Sequence, residues 1–273
     1  MTKLPQNLTE AKIKSFVRET LFEKGHPICP ECNRMKYFIV LSDGRYYCSK
    51  CRKKYSLKQL AGFEGSKLAW LQIFHLIHAF SKNFTLESAM DKANVSYPTA
   101  RRYYSILRQK CKNYFNFSDL YFGGEAVADE TFIGKKKTNN QSIVIGAVKS
   151  DYSKLVLRII PDREQDRVEK FLWDHIAPSA KVITDGHQSY QDIKWMGYDH
   201  EFEIHEHGEM IKTLPIERIW ALLKRFIRRT YDHVWKEKLD EILAEFQIKF
   251  IHRDIFKNPL TAFVFFINSV PTS

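Results

Sequence analysis

Ala126-Val-Ala-Asp129-Glu130-Thr-Phe-Ile-Gly134 sets a carboxylate inside an apolar strand, and the reading of that stretch decides the fold. Side chains alternate along an extended segment, so Val127, Asp129, Thr131 and Ile133 share one face while Ala128, Glu130 and Phe132 share the other. A carboxylate among apolar neighbours is costly unless a metal or a cation compensates it, which makes Asp129 a candidate metal ligand. The plainer alternative is a strand-end Asp that caps the turn before Gly134-Lys-Lys-Lys. A second strand of the same kind, Lys181-Val-Ile-Thr-Asp185-Gly, shifts the balance, as does a third carboxylate, Glu217, at the opening of a long basic helix. Three carboxylates so placed suggest a two-metal site.

Outward from this stretch the pattern is one of strands, at 126–132, 142–149 and 154–160, joined by the polar turns Thr138-Asn-Asn-Gln and Ser150-Asp-Tyr-Ser. An amphipathic helix follows over 165–175, and a fourth strand ends on Asp185. Three antiparallel strands, a crossover helix and a further strand form the order of a ribonuclease-H-like α/β fold. In that fold the first and fourth strands are adjacent, so Asp129 and Asp185 can share a metal. Beyond lies the polar run Tyr198-Asp-His-Glu-Phe-Glu-Ile-His-Glu-His207, in which His205 and His207 read as ligands, as a general base or as part of a solvated strand. Thr213 and Pro215 suit a helix start, and Ile216, Ile219, Trp220, Leu223 and Ile227 make its buried stripe. Glu217 and Lys224 stand two turns apart on that helix and project from nearly the same side.

The first part of the chain has a different character. Residues 1–120 hold 21 Lys and Arg against 9 Asp and Glu, whereas residues 121–273 hold 22 against 23, so the net charge of +11 belongs to the N-terminal part. Such an uneven excess is the electrostatic footprint of a module that binds a polyanion, most often nucleic acid. No apolar run reaches the roughly 18 residues of a membrane span, and the N-terminus lacks the apolar core of a signal peptide, so a cytoplasmic protein is expected.

Four of the five cysteines stand as Cys29-Pro-Glu-Cys32 and Cys48-Ser-Lys-Cys51, with fifteen residues between the pairs. Two such knuckles supply four thiolates to one zinc, and Ser42-Asp-Gly44 between them is a hairpin signal, so the unit reads as a zinc ribbon. Arg52, Lys53, Lys54 and Lys58 follow at once and favour contact with phosphates. Cys111 is the odd one out, expected to be an inert buried thiol. Residues 65–112 read as helices: an apolar stripe from Leu68 to Phe80, a short helix capped by Thr85, and a turn at Asn94-Val-Ser96 that opens another helix. In this last helix Thr99, Arg101, Arg102 and Arg108 are expected to be exposed. The layout is that of a helix-turn-helix, whose second helix reads the major groove from its N-terminal residues.

Taken together, these motifs resemble bacterial insertion-sequence transposases of the IS1595 type, the group with the ISXO2-like transposase domain. The resemblance runs from about Pro27 to about Arg253 and rests on the two cysteine pairs, Ser96-Tyr-Pro-Thr-Ala100, Asp129-Glu-Thr-Phe-Ile-Gly134, Thr184-Asp185-Gly186 with Tyr190, and Ile216-Glu217-Arg-Ile-Trp220 with Lys224-Arg225. It implies a catalytic domain of retroviral-integrase type preceded by a zinc ribbon and a helix-turn-helix. The expected division is a helical segment at 1–24, the ribbon at 25–58, the helix-turn-helix at 59–118 and the catalytic domain at 119–273. It also implies a triad of Asp129, Asp185 and Glu217 holding two Mg²⁺ or Mn²⁺, with Lys224 as the helix cation and one structural Zn²⁺ in the ribbon. The implied reaction cuts a phosphodiester at the element end and lets the freed 3′-hydroxyl attack target DNA.

The implied partners are the terminal inverted repeats and target DNA, with at least a homodimer on the DNA, in the bacterial cytoplasm at the nucleoid. Arg225, Arg228 and Arg229 would line the DNA path. Two departures stand out: Leu214 occupies the place of the family's usual Asn, and the late basic-aromatic pattern survives only as Ile248-Lys-Phe-Ile-His-Arg253. Two other classes fit parts of the pattern. A non-catalytic DNA-binding regulator would lose the carboxylates, which this chain retains, and a ribonuclease-H-like nuclease or resolvase would share the metal site without strand transfer.

Overall fold

A computed structural model describes residues 8–22, 27–34, 38–115, 120–203, 212–232 and 234–269. The chain divides into two compact units, one of residues 1–114 with 254–273 and one of residues 115–253.

In the first unit, α1 (Glu10–Phe22) buries Ile13, Val17, Thr20 and Leu21, a stripe at helical spacing. The ribbon is a three-stranded antiparallel sheet of β1 (Phe38–Val40), β2 (Tyr46–Cys48) and β3 (Lys54–Tyr55), in that order. Gly44, at φ +77°, supplies the left-handed residue of the β1–β2 turn, and the Asp43 carboxylate accepts from the Arg45 backbone N–H at 3.0 Å. The single-turn α2 (Leu57–Leu60) opens with a Ser56–Gln59 capping box. Then comes α3 (Trp70–Ser81), whose first turn has no cap of its own from Ala69. Glu10 of α1 satisfies it instead: its two carboxylate oxygens accept from the Trp70 and Leu71 N–H groups, each at 2.9 Å. Next, α4 (Leu86–Ala93) is capped by Thr85 and ends on Asn94 at φ +49°, and after a short turn α5 (Tyr97–Tyr114) begins. Cys111 is fully buried on α5, as expected.

The second unit opens with β4 (Glu125–Ile133), β5 (Ser142–Lys149) and β6 (Leu155–Ile160), an antiparallel meander. After α6 (Gln165–His175), β7 (Lys181–Asp185) pairs parallel to β4, and β8 (Asp199–Glu203) pairs parallel to β7. The sheet order is β6-β5-β4-β7-β8. That mixed order, with the first and fourth strands at the centre, is the ribonuclease-H-like arrangement, and the chain has this fold.

One face of the sheet, with Ala126, Ala128, Ile145, Val156 and Val182, packs on Val168, Phe171 and Leu172 of α6. The other, with Val127, Ile133, Val144, Val148 and Ile183, packs on α7 (Leu214–Thr230) and α8 (Lys236–Ile251) through Ile216, Ile219, Trp220, Leu223, Ile242 and Phe246.

The chain ends in α9 (Arg253–Lys257) and α10 (Pro259–Asn268). The expectation of a catalytic domain reaching to residue 273 is corrected here, because residues 254–273 belong to the first unit. The reason is aromatic packing: Phe263 meets Phe16 and Phe74, and Phe266 meets Phe80. Lys110 Nζ also donates to the Ser269 carbonyl at 2.6 Å. Among the described residues no helix is long and apolar enough to cross a membrane.

Candidate active site

Alternation along β4 sends Asp129 to the α7 side of the sheet and Glu130 to the α6 side. The parallel ladder ends with Val127 opposite Ile183, both packed on the α7 side; Asp129 and Asp185 follow that pair by two residues each, which alternation puts on the same face, and the Asp185 charge acts on Asp129. Asp129 is buried, and Trp220 Nε1 donates to its Oδ2 over 2.8 Å. Burial pushes the Asp129 carboxyl up to about 6; the Trp220 and Glu130 hydrogen bonds oppose that rise, while the charges of Glu130 and Asp185 add to it.

The indole reaches Asp129 because the residue opposite it on β5 is glycine. Gly146 pairs with Asp129, and a Cβ there would lie 2.6 Å from Trp220 Cη2 and 2.7 Å from Leu157 Cδ2. An isolated glycine within a strand pattern is the sequence signal for such a close approach. Asp185 ends β7, where its Oδ1 accepts from the His187 N–H at 3.1 Å. Its register partner on β8 is Glu203, which sequence reasoning left in an undifferentiated polar run. Glu203 accepts from the Thr213 N–H at 2.9 Å and from the Thr213 hydroxyl at 3.0 Å, tying the start of α7 to the sheet beside Asp185.

Glu217 is exposed on α7, three residues before Trp220, and Lys224 is exposed one turn after it. The carboxylate oxygens of Asp129, Asp185 and Glu217 do not gather within 4.8 Å. Among the described residues only two groups do: the four ribbon cysteines, and the surface acids Asp162, Glu164 and Asp166. The structure thus places the two aspartates at the same end of adjacent strands and leaves Glu217 exposed on the helix.

Behind the aspartates, on the α6 side, the Glu130 side chain is fully buried, and Arg163 Nη2 lies 3.2 Å from its Oε2. Burial raises the Glu130 carboxyl, with Arg163 opposing. Tyr190, from the turn after β7, is also buried, and the acids Glu130, Asp129 and Asp185 join burial in holding its hydroxyl well above the usual phenol range.

Residues 115–250, which contain all these side chains, match the family described as the ISXO2-like transposase domain. The chain belongs to this IS1595-type transposase family. Members are DNA-cleaving and DNA-joining enzymes, so the aspartate pair lies in the domain that does this chemistry. No curated protein matches the chain. Among solved structures it is similar to the catalytic core domain of BIV integrase, at 14% identity over 47% of this chain and 83% of that one, with a TM-score of 0.35. It is also similar to a chain of the simian T-cell lymphotropic virus intasome in complex with PP2A regulatory subunit B56 gamma, at 14% identity over 64% of this chain and 65% of that one, with a TM-score of 0.35. At that level the strand order carries the fold assignment.

Outside the transposase domain, the four ribbon cysteines converge as their spacing requires. Cys29 and Cys51 Sγ are 3.5 Å apart, Cys32 and Cys48 Sγ are 3.8 Å apart, and all four fit a tetrahedral zinc. Each knuckle ends in a left-handed residue, Asn33 at φ +51° and Arg52 at φ +64°, whose N–H returns to the first cysteine's carbonyl. Burial disfavours the Cys29 thiolate, but the Tyr55 hydroxyl at 3.4 Å and the backbone N–H groups of Cys32 and Glu31 outweigh it and bring the thiol down to about 6.

The basic residues picked out in the sequence divide. Arg52, Lys53, Lys54, Arg101, Arg102, Arg225, Arg228 and Arg229 are exposed, with Lys53 paired to Glu31 at 2.6 Å. Thr99 is half-buried, its hydroxyl 2.9 Å from that of Ser96. Arg108 is corrected: expected to be exposed, it is only 8% exposed and counts among the buried residues of α5. His205 and His207 lie outside the described residues.

Proposed function

We propose that the protein is a DDE-type transposase that binds the terminal inverted repeats of an insertion sequence, cleaves the element ends and joins the freed 3′-hydroxyls to target DNA. The observation that carries this reading is the Asp129–Asp185 pair at the same end of adjacent parallel strands, with Asp129 held by Trp220 of the helix that also bears Glu217. Asp129, Asp185 and Glu217 would hold two Mg²⁺ or Mn²⁺. Such ions, when bound, activate the attacking oxygen and neutralise charge at the scissile phosphate. The donor set suits them in kind, since carboxylate oxygens are the hard ligands such ions take.

The chain's own residues supply position and charge. Trp220 fixes the orientation of the Asp129 carboxylate, Glu203 anchors the helix start, and Lys224 offers a cation to the phosphate path. Arg225, Arg228 and Arg229 neutralise flanking phosphates. In the first unit, the α4–α5 pair acts as the helix-turn-helix, with Thr99, Arg101 and Arg102 at the start of the reading helix. The ribbon holds one structural Zn²⁺ and adds Arg52, Lys53 and Lys54 as phosphate contacts. Joining two ends calls for at least a homodimer on DNA, in the bacterial cytoplasm at the nucleoid.

The test is a cleavage and strand-transfer assay on the element's own terminal DNA with Mg²⁺ or Mn²⁺, comparing wild type with Asp185→Ala. Joined product that vanishes in the variant supports the reading. End binding without cutting by the wild type would make the protein a regulator, and cutting without joining would make it a nuclease or resolvase.

A further inference from the structure

Glu203 stands on β8 as the register partner of Asp185, and partners in a parallel pair share a face of the sheet. Its carboxylate gathers the start of α7: the Lys212 N–H donates to it at 3.1 Å, the Thr213 N–H at 2.9 Å and the Thr213 hydroxyl at 3.0 Å. Thr213 is buried, and its hydroxyl makes no capping bond to its own helix. A threonine at a helix start ordinarily turns its oxygen to a first-turn N–H. Here the hydroxyl is spent on the neighbouring strand, and the negative charge it meets is the one that a helix N-terminus favours.

Thr213 passes this tie along the helix. Its carbonyl accepts from the N–H groups of Ile216 and Glu217, at 3.1 and 3.2 Å, so Glu217 closes the turn that Glu203 holds. Three residues later Trp220 bonds Asp129. Glu217 is therefore bracketed by two ties to the sheet, each about one helical turn away: one to the strand that carries Asp129, the other to the strand beside Asp185. A further link at the helix start joins the Lys212 ammonium to Glu201, which also pairs with Lys181. Its side chains are partly exposed, and such pairs hold little.

The seat of the helix matters because Glu217 is exposed and does not lie within 4.8 Å of both aspartates. Metal–ligand distances are held to about 0.2 Å, so the position of this one turn decides whether a helix carboxylate can join two strand carboxylates on the same ions. We propose that Glu203 is a positioning residue of the metal site, which sets, through Thr213, the turn that carries Glu217 toward Asp129 and Asp185. The proposal rests on the reading of Glu217 as the third ligand.

The test reads metal binding rather than cutting. Mn²⁺ is titrated into the full, zinc-loaded chain without DNA, free Mn²⁺ is followed by electron paramagnetic resonance, and the binding that Asp185→Ala abolishes defines the site. Glu203→Ala is expected to weaken that binding by about 10- to 100-fold, the usual effect of losing a group that orients a ligand. Glu203→Gln, which keeps one acceptor oxygen, is expected to weaken it less. Thr213→Val removes only the hydroxyl and is expected to give a smaller loss of the same kind, which serves where Glu203→Ala does not fold. Glu217→Ala weakens binding too, and Glu203→Ala added to it is expected to weaken it no further, because a residue that acts through Glu217 has nothing to act on once that carboxylate is gone.

Unchanged Mn²⁺ affinity in Glu203→Ala and Thr213→Val overturns the proposal. Losses that add in the double variant overturn it as well, since Glu203 would then act on Asp185 or on folding at large. The transposase reading fails separately. A wild type whose Mn²⁺ site shows the expected coupling but which neither cuts nor joins element ends refutes that reading and keeps the proposal, whereas cutting and joining by a chain in which the two losses add sinks the proposal alone.

Discussion

Trp220 Nε1 donates a 2.8 Å hydrogen bond to Asp129 Oδ2, so a residue of the buried stripe of α7 orients the carboxylate buried in the facing strand. Trp220→Phe keeps most of the packing and removes the donor. The expected result is a chain that folds with a loss of about 1–2 kcal/mol and needs about 10- to 100-fold more Mg²⁺ or Mn²⁺ for half-maximal strand transfer. A metal titration of joined product, read beside a thermal melt, checks this. An unchanged titration curve would reduce Trp220 to packing.

Gly146 gives the indole its room, and the contacts a Cβ would make predict the cost of filling it. Gly146→Ala is expected to destabilise the second unit by about 1–3 kcal/mol, the usual penalty of overpacking. It should also push Trp220 off Asp129. A lowered melting temperature together with a shifted tryptophan emission is the expected pair of observations; a normal melt with normal activity would mean that the ring yields without leaving its hydrogen bond.

The ribbon cysteines give a prediction independent of catalysis. Metal analysis of the purified full chain is expected to find one zinc per chain, lost in Cys29→Ser with Cys51→Ser. A segment with so little core of its own depends on the metal for its fold, so chelation should expose residues 27–55 to protease while the second unit stays protected. Protection of that segment after zinc removal would count against a structural metal.

Much of the second unit was legible in the sequence, because its signals are local. The strand at 142–149 and the helix at 165–175 are bounded by polar turns and by Pro178, and the structure has them at those residues. The split of Asp129 and Glu130 to opposite faces follows from alternation alone. What was not legible depends on partners distant in sequence. The apolar α10 has nothing local to say which core it joins, and Phe16, Phe74 and Phe80 decide it. Arg108 was read as exposed, but it follows Tyr104 by one helical turn and is buried on the same helix. Glu203 looked like one acid among several until β8 paired with β7 and set it beside Asp185.

Lys110 makes the first unit sensitive to pH. Its Nζ donates to the carbonyls of Ala61 and Ser269, and burial brings its ammonium down to about 7. In the unfolded chain a lysine titrates near about 10.4, so between these two values the unfolded state binds more protons and stability rises with pH. The slope contributed is at most about 1.4 kcal/mol per pH unit. Urea unfolding of wild type and Lys110→Met from about pH 6 to pH 10 should show the wild type gaining on the variant across the upper part of the range. A stability difference independent of pH would show that Lys110 stays charged in its buried setting.

Glu130 sets the last expectation, because its buried carboxylate has Arg163 as its ion-pair partner at 3.2 Å and shares its surroundings with the Tyr190 hydroxyl. Arg163→Leu leaves that charge without its cation and is expected to cost about 3 kcal/mol, the usual penalty for breaking a buried pair from one side. Glu130→Gln added to Arg163→Leu removes the stranded charge and should recover a large part of that loss. Because Tyr190 belongs to the turn that leaves Asp185, the single variant is also expected to lower strand transfer more than its stability loss explains, and the double variant to restore it in part. Denaturant unfolding with strand-transfer rates on the same preparations separates the two effects. If Arg163→Leu is as stable as wild type, Glu130 is protonated in the fold and Arg163 serves solvent and DNA instead.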